Sequence, residues 1–280
     1  MIEWVPSLIG QTFATIYGLV VGSFLAVCIV RMPQDRSLLV PSACPRCGAR
    51  VRWRDNVPVL SWLLLRGRCR DCGTPISPLY PMVEALGGTL GWLLYRRLMP
   101  TVDQIDGVHA AAWVVWFVFL GLLVVAAAVD VRHRIIPDQV SSYAIPVGIV
   151  GAAALEWAGF EGWLAIGWRA SVLGAAVWGG LFATFAVLGK FVTRQEVLGW
   201  GDVKLAAMFG AFLGVFPGTF VTVLVGSLFG AVVGIVATVV ARRRVWLPYG
   251  PPLAVAAAGW VLWGDVLIAT FFPGLAAFSR

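Results

Sequence analysis

The sequence predicts an all-α polytopic membrane protein with about eight transmembrane helices and a small cysteine-rich loop module between helices one and two. Hydrophobic residues make up 60% of the 280 positions and charged residues only 12%, whereas a soluble domain carries about 25% charged residues. Apolar runs of about 20 residues, the length that crosses the hydrocarbon of a bilayer, recur along the whole chain. Four of the five cysteines lie in the one long polar stretch, which follows the first apolar run.

Eight apolar runs define the predicted spans. The first, 8–30, follows Glu3 rather than a basic segment and has no small-residue cleavage site before its charged end, so we expect a retained helix. The other seven are 79–98, 110–129, 141–158, 170–191, 203–215, 218–241 and 252–272. The sixth span of the chain, 203–215, is short. The chain therefore divides into a first transmembrane helix (1–31), a loop module (32–78) and a membrane core (79–280).

The distribution of basic residues predicts the orientation of the spans. With both termini outside, 17 of the 21 lysine and arginine residues lie in the cytosolic segments and only four outside, as the positive-inside rule requires. We therefore expect a multi-pass membrane protein whose basic loops face the cytosol and contact anionic lipid. The net charge of +7 is explained by this bias, so we expect no nucleic-acid partner.

The loop module carries two C-x-x-C pairs, Cys44 with Cys47 and Cys69 with Cys72, and glycine follows each pair directly. Two disulfides or redox-active thiols are alternatives, but structural disulfides are rare in the reducing cytosol where the topology puts this loop. Four thiolates at this spacing are typical of a structural zinc site. We expect Cys28, inside the first span, to be a small packing residue.

Asp130 is an acid at the end of an apolar run that contains no other charge. A carboxylate at a helix C-terminus opposes the macrodipole, so capping does not explain it. Ionisable groups in or beside membrane spans are candidates for function, because their burial in hydrocarbon costs several kcal/mol.

Asp202 begins the sixth span within the segment Gly-Trp-Gly-Asp and is either an N-cap or a catalytic acid. Asp138, which follows Ile136 and Pro137, is a second possible helix cap, and we expect it to be structural. His133 belongs to a polar loop, where we expect a solvated side chain.

Asp130 and Asp202 fall on the same predicted face of the bilayer. Two neighbouring carboxylates share one proton, so that one can activate water while the other protonates a carbonyl oxygen. The chain has two histidines and neither H-E-x-x-H nor G-x-S-x-G, which disfavours metalloprotease and serine-hydrolase chemistry. A transporter using the acids as proton relays and a zinc-bearing membrane scaffold remain as alternatives.

The sequence closely resembles the type IV prepilin peptidase family, the prepilin leader peptidases and N-methyltransferases, which are GxGD-type membrane aspartyl proteases. The resemblance runs from about Gly22 to the last span. Its motifs are GSFL at 22–25, CPRCG at 44–48, NVPVLSW at 56–62, RGRC at 66–69, YPMVE at 80–84, IPD at 136–138 and GWGD at 199–202.

The resemblance implies that Asp130 and Asp202 are the catalytic pair of an endopeptidase. The substrates implied are prepilins and pseudopilins, cleaved on the cytosolic side after the glycine that ends a short basic leader. Many members of the family then methylate the new N-terminus with S-adenosylmethionine. The resemblance assigns no residues of this chain to binding this cofactor and implies no oligomeric state.

Overall fold

The computed structural model describes residues 4–99, 105–196, 198–243 and 247–271. Among these residues, eight helices have 14 residues or more, and no strand occurs beyond two isolated bridges. The predicted class, an all-α polytopic membrane protein, is confirmed. By compactness the chain divides into two units, Met1–Ile105 and Asp106–Arg280. The division by role into 1–31, 32–78 and 79–280 stays a prediction.

Among the described residues, the first unit holds three α-helices and the second holds six. The helices of the first unit are α1 (Trp4–Arg31), α2 (Leu60–Leu64) and α3 (Leu79–Leu98). Those of the second are α4 (Gly107–His133), α5 (Ala144–Trp157), α6 (Trp168–Thr193), α7 (Trp200–Leu213), α8 (Phe220–Ala241) and α9 (Gly250–Phe271). The predicted last residue of the final span, Phe272, lies outside the described residues.

Six stretches of the described chain are long and apolar enough to cross a membrane, judged by length and composition. One of them, Trp200–Ala241, covers 42 residues and contains α7, a short irregular turn and α8. The predicted sixth and seventh spans are thus two parts of one nearly continuous stretch. α3 is not among the six, because Glu84, Arg96 and Arg97 make it less apolar.

Glycines bring α1 and α3 of the first unit into direct backbone contact. A Cβ on Gly18 would collide with the carbonyl oxygen of Gly87, and a Cβ on Gly22 would lie 2.7 Å from Cα of Glu84. Gly18 and Gly22 form a G-x-x-x-G pair on one face of α1. Small residues at this spacing are the usual way in which membrane helices approach closely.

Aromatic side chains form the centre of the second unit, where α4 packs with α7. The rings of Phe119 and Phe212 stack with centroids 4.5 Å apart, and Phe209 and Trp116 meet them edge-on. All four side chains are buried. α7 therefore lies inside the bundle, and its 14 residues span only about 21 Å.

Close backbone approach also joins α6 to α7. A Cβ on Gly210 would overlap the carbonyl oxygen of Gly174, and the buried Ser171 hydroxyl donates to the carbonyl oxygen of Ala211. This contact fixes α7, and with it the residues at its N-terminal end, against the longer helix α6.

We predict that Gly210→Ala destabilises the protein by about 1–3 kcal/mol, the usual cost of overpacking a close contact. The measurement is thermal unfolding of purified protein in detergent. Gly180→Ala on α6 is the matched control, because a Cβ there meets nothing within 4 Å. Equal unfolding temperatures for the two variants would contradict the prediction.

Candidate active site and metal centre

Asp130 lies in the last turn of α4 and is buried, with 6% of its surface exposed. Its Oδ2 atom accepts a hydrogen bond of 2.8 Å from the backbone N–H of Gly250, the first residue of α9. Its carbonyl oxygen accepts from the N–H of Arg134, which ends the helix. The buried carboxyl group therefore has a backbone partner from a helix that begins 120 residues later.

Asp202 is the third residue of α7 and is half-buried. The alternative that Asp202 is an N-cap is wrong, because the N-cap of α7 is Gly199, three residues earlier. The Asp202 carboxylate instead reaches back to the N–H of Gly199, as the third residue of a capping box does. This contact is local to the start of α7 and does not make Asp202 the N-cap.

The connection that follows α4 packs against the start of α7. A Cβ on Gly201 would lie 3.2 Å from Cβ of Ile136, so only a residue without a side chain fits without displacement. Asp138 forms an ion pair of 2.6 Å with Lys204 of α7. Asp138 caps neither α4 nor α5, whose N-cap is Tyr143. Its structural role is to tie this connection to the helix that carries Asp202.

Tyr249 and Gly250 connect the surroundings of the two acids. The Tyr249 side chain packs against the cluster that contains Val203, the residue after Asp202, and its hydroxyl bonds to Ser227 of α8 at 2.7 Å. The adjacent Gly250 donates to Asp130. Sequence reasoning missed both residues, although the Pro-Tyr-Gly-Pro-Pro segment at the start of an apolar run was a usable signal.

Both acids thus lie at one end of the second unit, where α4 ends and α7 and α9 begin. Asp130 is close enough to act electrostatically on Asp202. Neither histidine supplies a base between them: His133 is exposed, as expected, and His109 pairs with Asp106 at the opposite end of α4. Two carboxyl groups in this arrangement can exchange protons with a water molecule and a carbonyl group.

The four cysteines of the first unit come together, with all four Sγ atoms within 4.8 Å of one another. The Sγ atoms of Cys44 and Cys72 are 3.7 Å apart. A tetrahedral site with Zn–S bonds of about 2.3 Å requires sulfurs about 3.8 Å apart. The four residues form no disulfide, and their geometry fits a tetrahedral metal ion.

The two halves of the cysteine cluster have the same local structure. In the first, the N–H of Cys44 bonds to Ala49 and an antiparallel bridge joins Ala43 to Arg50; in the second, Cys69 bonds to Thr74 in the same way. The glycine after each pair, Gly48 and Gly73, has φ near +70°, which glycine adopts without strain. Each half is therefore a knuckle that turns two thiols toward one point.

Backbone N–H groups favour the thiolate form of Cys44, whereas at Cys72 the lowering effect of the Thr74 N–H is outweighed by burial and the other three thiols, which raise the pKa of that thiol. The N–H groups of Cys47 and Arg46 bond to the Cys44 sulfur and lower the pKa of that thiol to about 6. A thiol with this pKa is deprotonated at neutral pH, and the thiolate is the form that binds a metal.

Two ion pairs cross-link the knuckles. Arg52 bonds to Asp71 at 2.9 Å, and Arg70 makes a bidentate contact with Asp55, which lowers the pKa of that carboxyl group. Between residues 32 and 78, all of which the structure describes, no hydrophobic side chain is fully buried. The module therefore has little core to hold it, and a bound metal would supply the missing stability.

Comparison with known proteins decides the family. Residues 117–235 match the family described as "Type IV leader peptidase family". Residues 16–98 match the one described as "Bacterial Peptidase A24 N-terminal domain". A prepilin leader peptidase/N-methyltransferase of Stutzerimonas stutzeri is 34% identical over 286 residues, covering 92% of both chains. The chain belongs to the type IV prepilin leader peptidase family.

Two other relatives carry the same name. The protein of Klebsiella pneumoniae is 34% identical over 213 residues, which cover 72% of this chain and 84% of the relative. That of Myxococcus xanthus is 40% identical over 211 residues, or 74% of this chain, but the match spans only 58% of the relative's length. No solved structure matches the chain significantly. Both acids lie in the stretch that matches the leader peptidase family, and all four cysteines lie in the stretch that matches the N-terminal domain.

Proposed function

We propose that this chain is an inner-membrane aspartyl endopeptidase that cleaves the short basic leader of prepilins and pseudopilins on the cytosolic side, after glycine. The observation that carries the proposal is the common location of Asp130 and Asp202 at one end of the bundle, within electrostatic range and linked through Tyr249 and Gly250. The excess of basic residues on that side supports a cytosolic site. Family membership supports the substrate class.

In the proposed mechanism one carboxyl group of the pair is ionised and the other protonated. The ionised group takes a proton from water as the water oxygen bonds to the scissile carbonyl carbon, and the protonated group donates to the carbonyl oxygen. The tetrahedral intermediate collapses when its C–N bond breaks. The leaving nitrogen receives the proton that came from water, and the hydroxyl proton returns to the pair.

Gly250 is the positioning residue of this site. Its N–H holds Oδ2 of Asp130 at 2.8 Å and so selects one rotamer of the carboxyl group. A Cβ at this position would lie 2.7 Å from the same oxygen. The position therefore requires glycine both for the short contact and for access to the carboxyl group.

Methylation of the new N-terminus is the second proposed activity. It rests on the names of the relatives and on the match of residues 16–98 to the N-terminal domain of the bacterial enzymes. S-Adenosylmethionine would supply the methyl group. Zinc is the proposed metal of Cys44, Cys47, Cys69 and Cys72, where four thiolates close the coordination shell and leave it a structural role.

We predict that Asp130→Asn and Asp202→Asn each lower the rate of prepilin cleavage by at least about a thousand-fold, because asparagine keeps the shape and removes the titration. Purified variants are incubated with a prepilin and cleavage is followed on gels. Asp106→Asn is the matched control, since Asp106 caps the other end of α4 and asparagine is an equally good N-cap. Full cleavage by either variant would refute the mechanism, and a transporter would cleave nothing even as the parent protein.

Gly250→Ala is expected to reduce cleavage about a hundred-fold with little change in KM, because displacement of a catalytic group by about 1 Å costs this much. The measurement separates kcat from KM with a purified prepilin. Gly180→Ala, which meets open space, is expected to behave as the parent. An unchanged kcat in a folded Gly250→Ala protein would exclude the positioning role.

For the metal we expect about one zinc ion per chain, measured by elemental analysis of the purified protein. Cys44→Ser and Cys72→Ser are expected to lose it, because three thiolates hold zinc less tightly than four. Cys28→Ser, which changes a buried cysteine of α1 outside the cluster, is expected to keep it. Zinc retained in full by both cluster variants would exclude the site.

A further inference from the structure

An apolar segment of the cysteine module, residues 57–64, lies against the long helices of the first unit. It contributes one wall of a groove of about 750 Å3 whose other walls are α1 and α3. The apolar side chains that line this groove include Val57, Val59, Leu60, Ile16, Val20 and Trp92. The segment therefore shares an apolar surface with α1, which is long and apolar enough to cross a membrane, and with α3, which packs against α1.

The depth of this segment follows from its contact with Glu84. The N–H of Val59 donates to Oε2 of Glu84 at 2.7 Å, and Glu84 packs directly against Gly22. Gly22 precedes the end of α1 at Arg31 by nine residues, or about 13 Å along the axis. The headgroup layer takes up only about 5–8 Å on each side of the hydrocarbon. With Arg31, the first charged residue after the apolar run, at the membrane surface, Val59 is expected beside the part of α1 that acyl chains surround.

The short helix α2 turns a leucine face outward at this depth. Leu60, Leu63 and Leu64 are 59%, 57% and 82% exposed, and their i, i+3, i+4 spacing puts them on one side. On the opposite side, Ser61 is buried and Trp62 donates its Nε1–H to the carbonyl oxygen of Ile76. One face of α2 thus holds the module together, while the other continues the lipid-facing surface.

The backbone of this segment is satisfied by side chains. Besides the bond from Val59 to Glu84, the N–H of Val57 donates to the Ser61 hydroxyl, which donates in turn to the carbonyl oxygen of Arg54. Val59 has φ of +61°, a conformation that β-branched residues rarely adopt. Backbone outside a regular helix is tolerated at membrane depth only where protein groups satisfy it, and this explains a buried carboxyl group within α3.

We infer that residues 57–64 form a re-entrant segment that inserts α2 among the phospholipid acyl chains of one leaflet and anchors the cysteine module to the membrane. Glu84 holds the segment at that depth through Val59. None of these contacts involves Asp130 or Asp202, so insertion does not depend on peptidase activity.

The test uses the zinc-loaded full chain in vesicles of phosphatidylcholine and phosphatidylglycerol that contain a phospholipid with a diazirine in its acyl chain. After irradiation, lipid adducts are located by peptide mass spectrometry. We expect adducts on Leu63 and Leu64 at yields comparable to Leu188 of α6, which is 55% exposed.

Leu39 is the matched control within the module. It is 93% exposed, but the Arg31 guanidinium binds the carbonyl oxygens of Ser37 and Val40 and so holds this loop at the polar end of α1. We expect few acyl-chain adducts there. Adducts on Leu63 and Leu64 as rare as those on Leu39 would overturn the inference.

Variants of Glu84 test the anchor. Glu84→Leu leaves the Val59 N–H without a partner and is expected to lower the adduct yield on Leu64 about ten-fold. Glu84→Gln keeps an accepting oxygen, so the adduct yield on Leu64 is expected to match that of the parent protein. Zinc content reports whether the module is folded. Undiminished labelling in zinc-loaded Glu84→Leu would refute the role of Glu84; if that variant loses zinc, the comparison of Leu64 with Leu39 in the parent decides.

Discussion

Hydrocarbon offers no hydrogen-bond partner, so a polar group that this chain places among its membrane helices is stabilised where the protein itself supplies one. Ser171 donates to the carbonyl oxygen of Ala211 and thereby joins α6 to α7. In the first unit, Glu84 accepts a hydrogen bond from the N–H of Val59. In the second unit, Asp130 accepts a hydrogen bond from the N–H of Gly250. An unpaired group at any of these places would cost several kcal/mol, so the same constraint that holds helices together also selects the geometry of a buried acid.

The acid-bearing end of the second unit depends on packing more than on charge. The ion pair between Asp138 and Lys204 is exposed on both sides and contributes at most about 1 kcal/mol. By contrast, the glycine contacts between α6 and α7 and the aromatic cluster between α4 and α7 leave little freedom to either helix. Acids carried on helices fixed in this way keep a constant orientation, which a hydrolytic pair requires.

The cysteine module solves a different problem, because it has no buried apolar side chain of its own. Two knuckles of matching backbone structure direct four thiols to one point, and the ion pairs of Arg52 and Arg70 join them. The pair of Arg52 with Asp71 is exposed on both sides and adds little. The metal and the apolar face of α2 would together replace the core that so short a segment cannot form.

The sequence by itself determined the membrane class, the cysteine cluster and the two candidate acids, because long apolar runs, C-x-x-C spacing and isolated acids are local signals. Only the tertiary structure decided the rest. Gly250 reaches Asp130 across 120 residues, and no local pattern encodes such a contact. Asp202 is the third residue of α7 rather than its N-cap, since the helix begins one turn earlier than its apolar run suggested. The helix α2 is only five residues long, too short to predict membrane contact until its packing beside α1 and α3 is known.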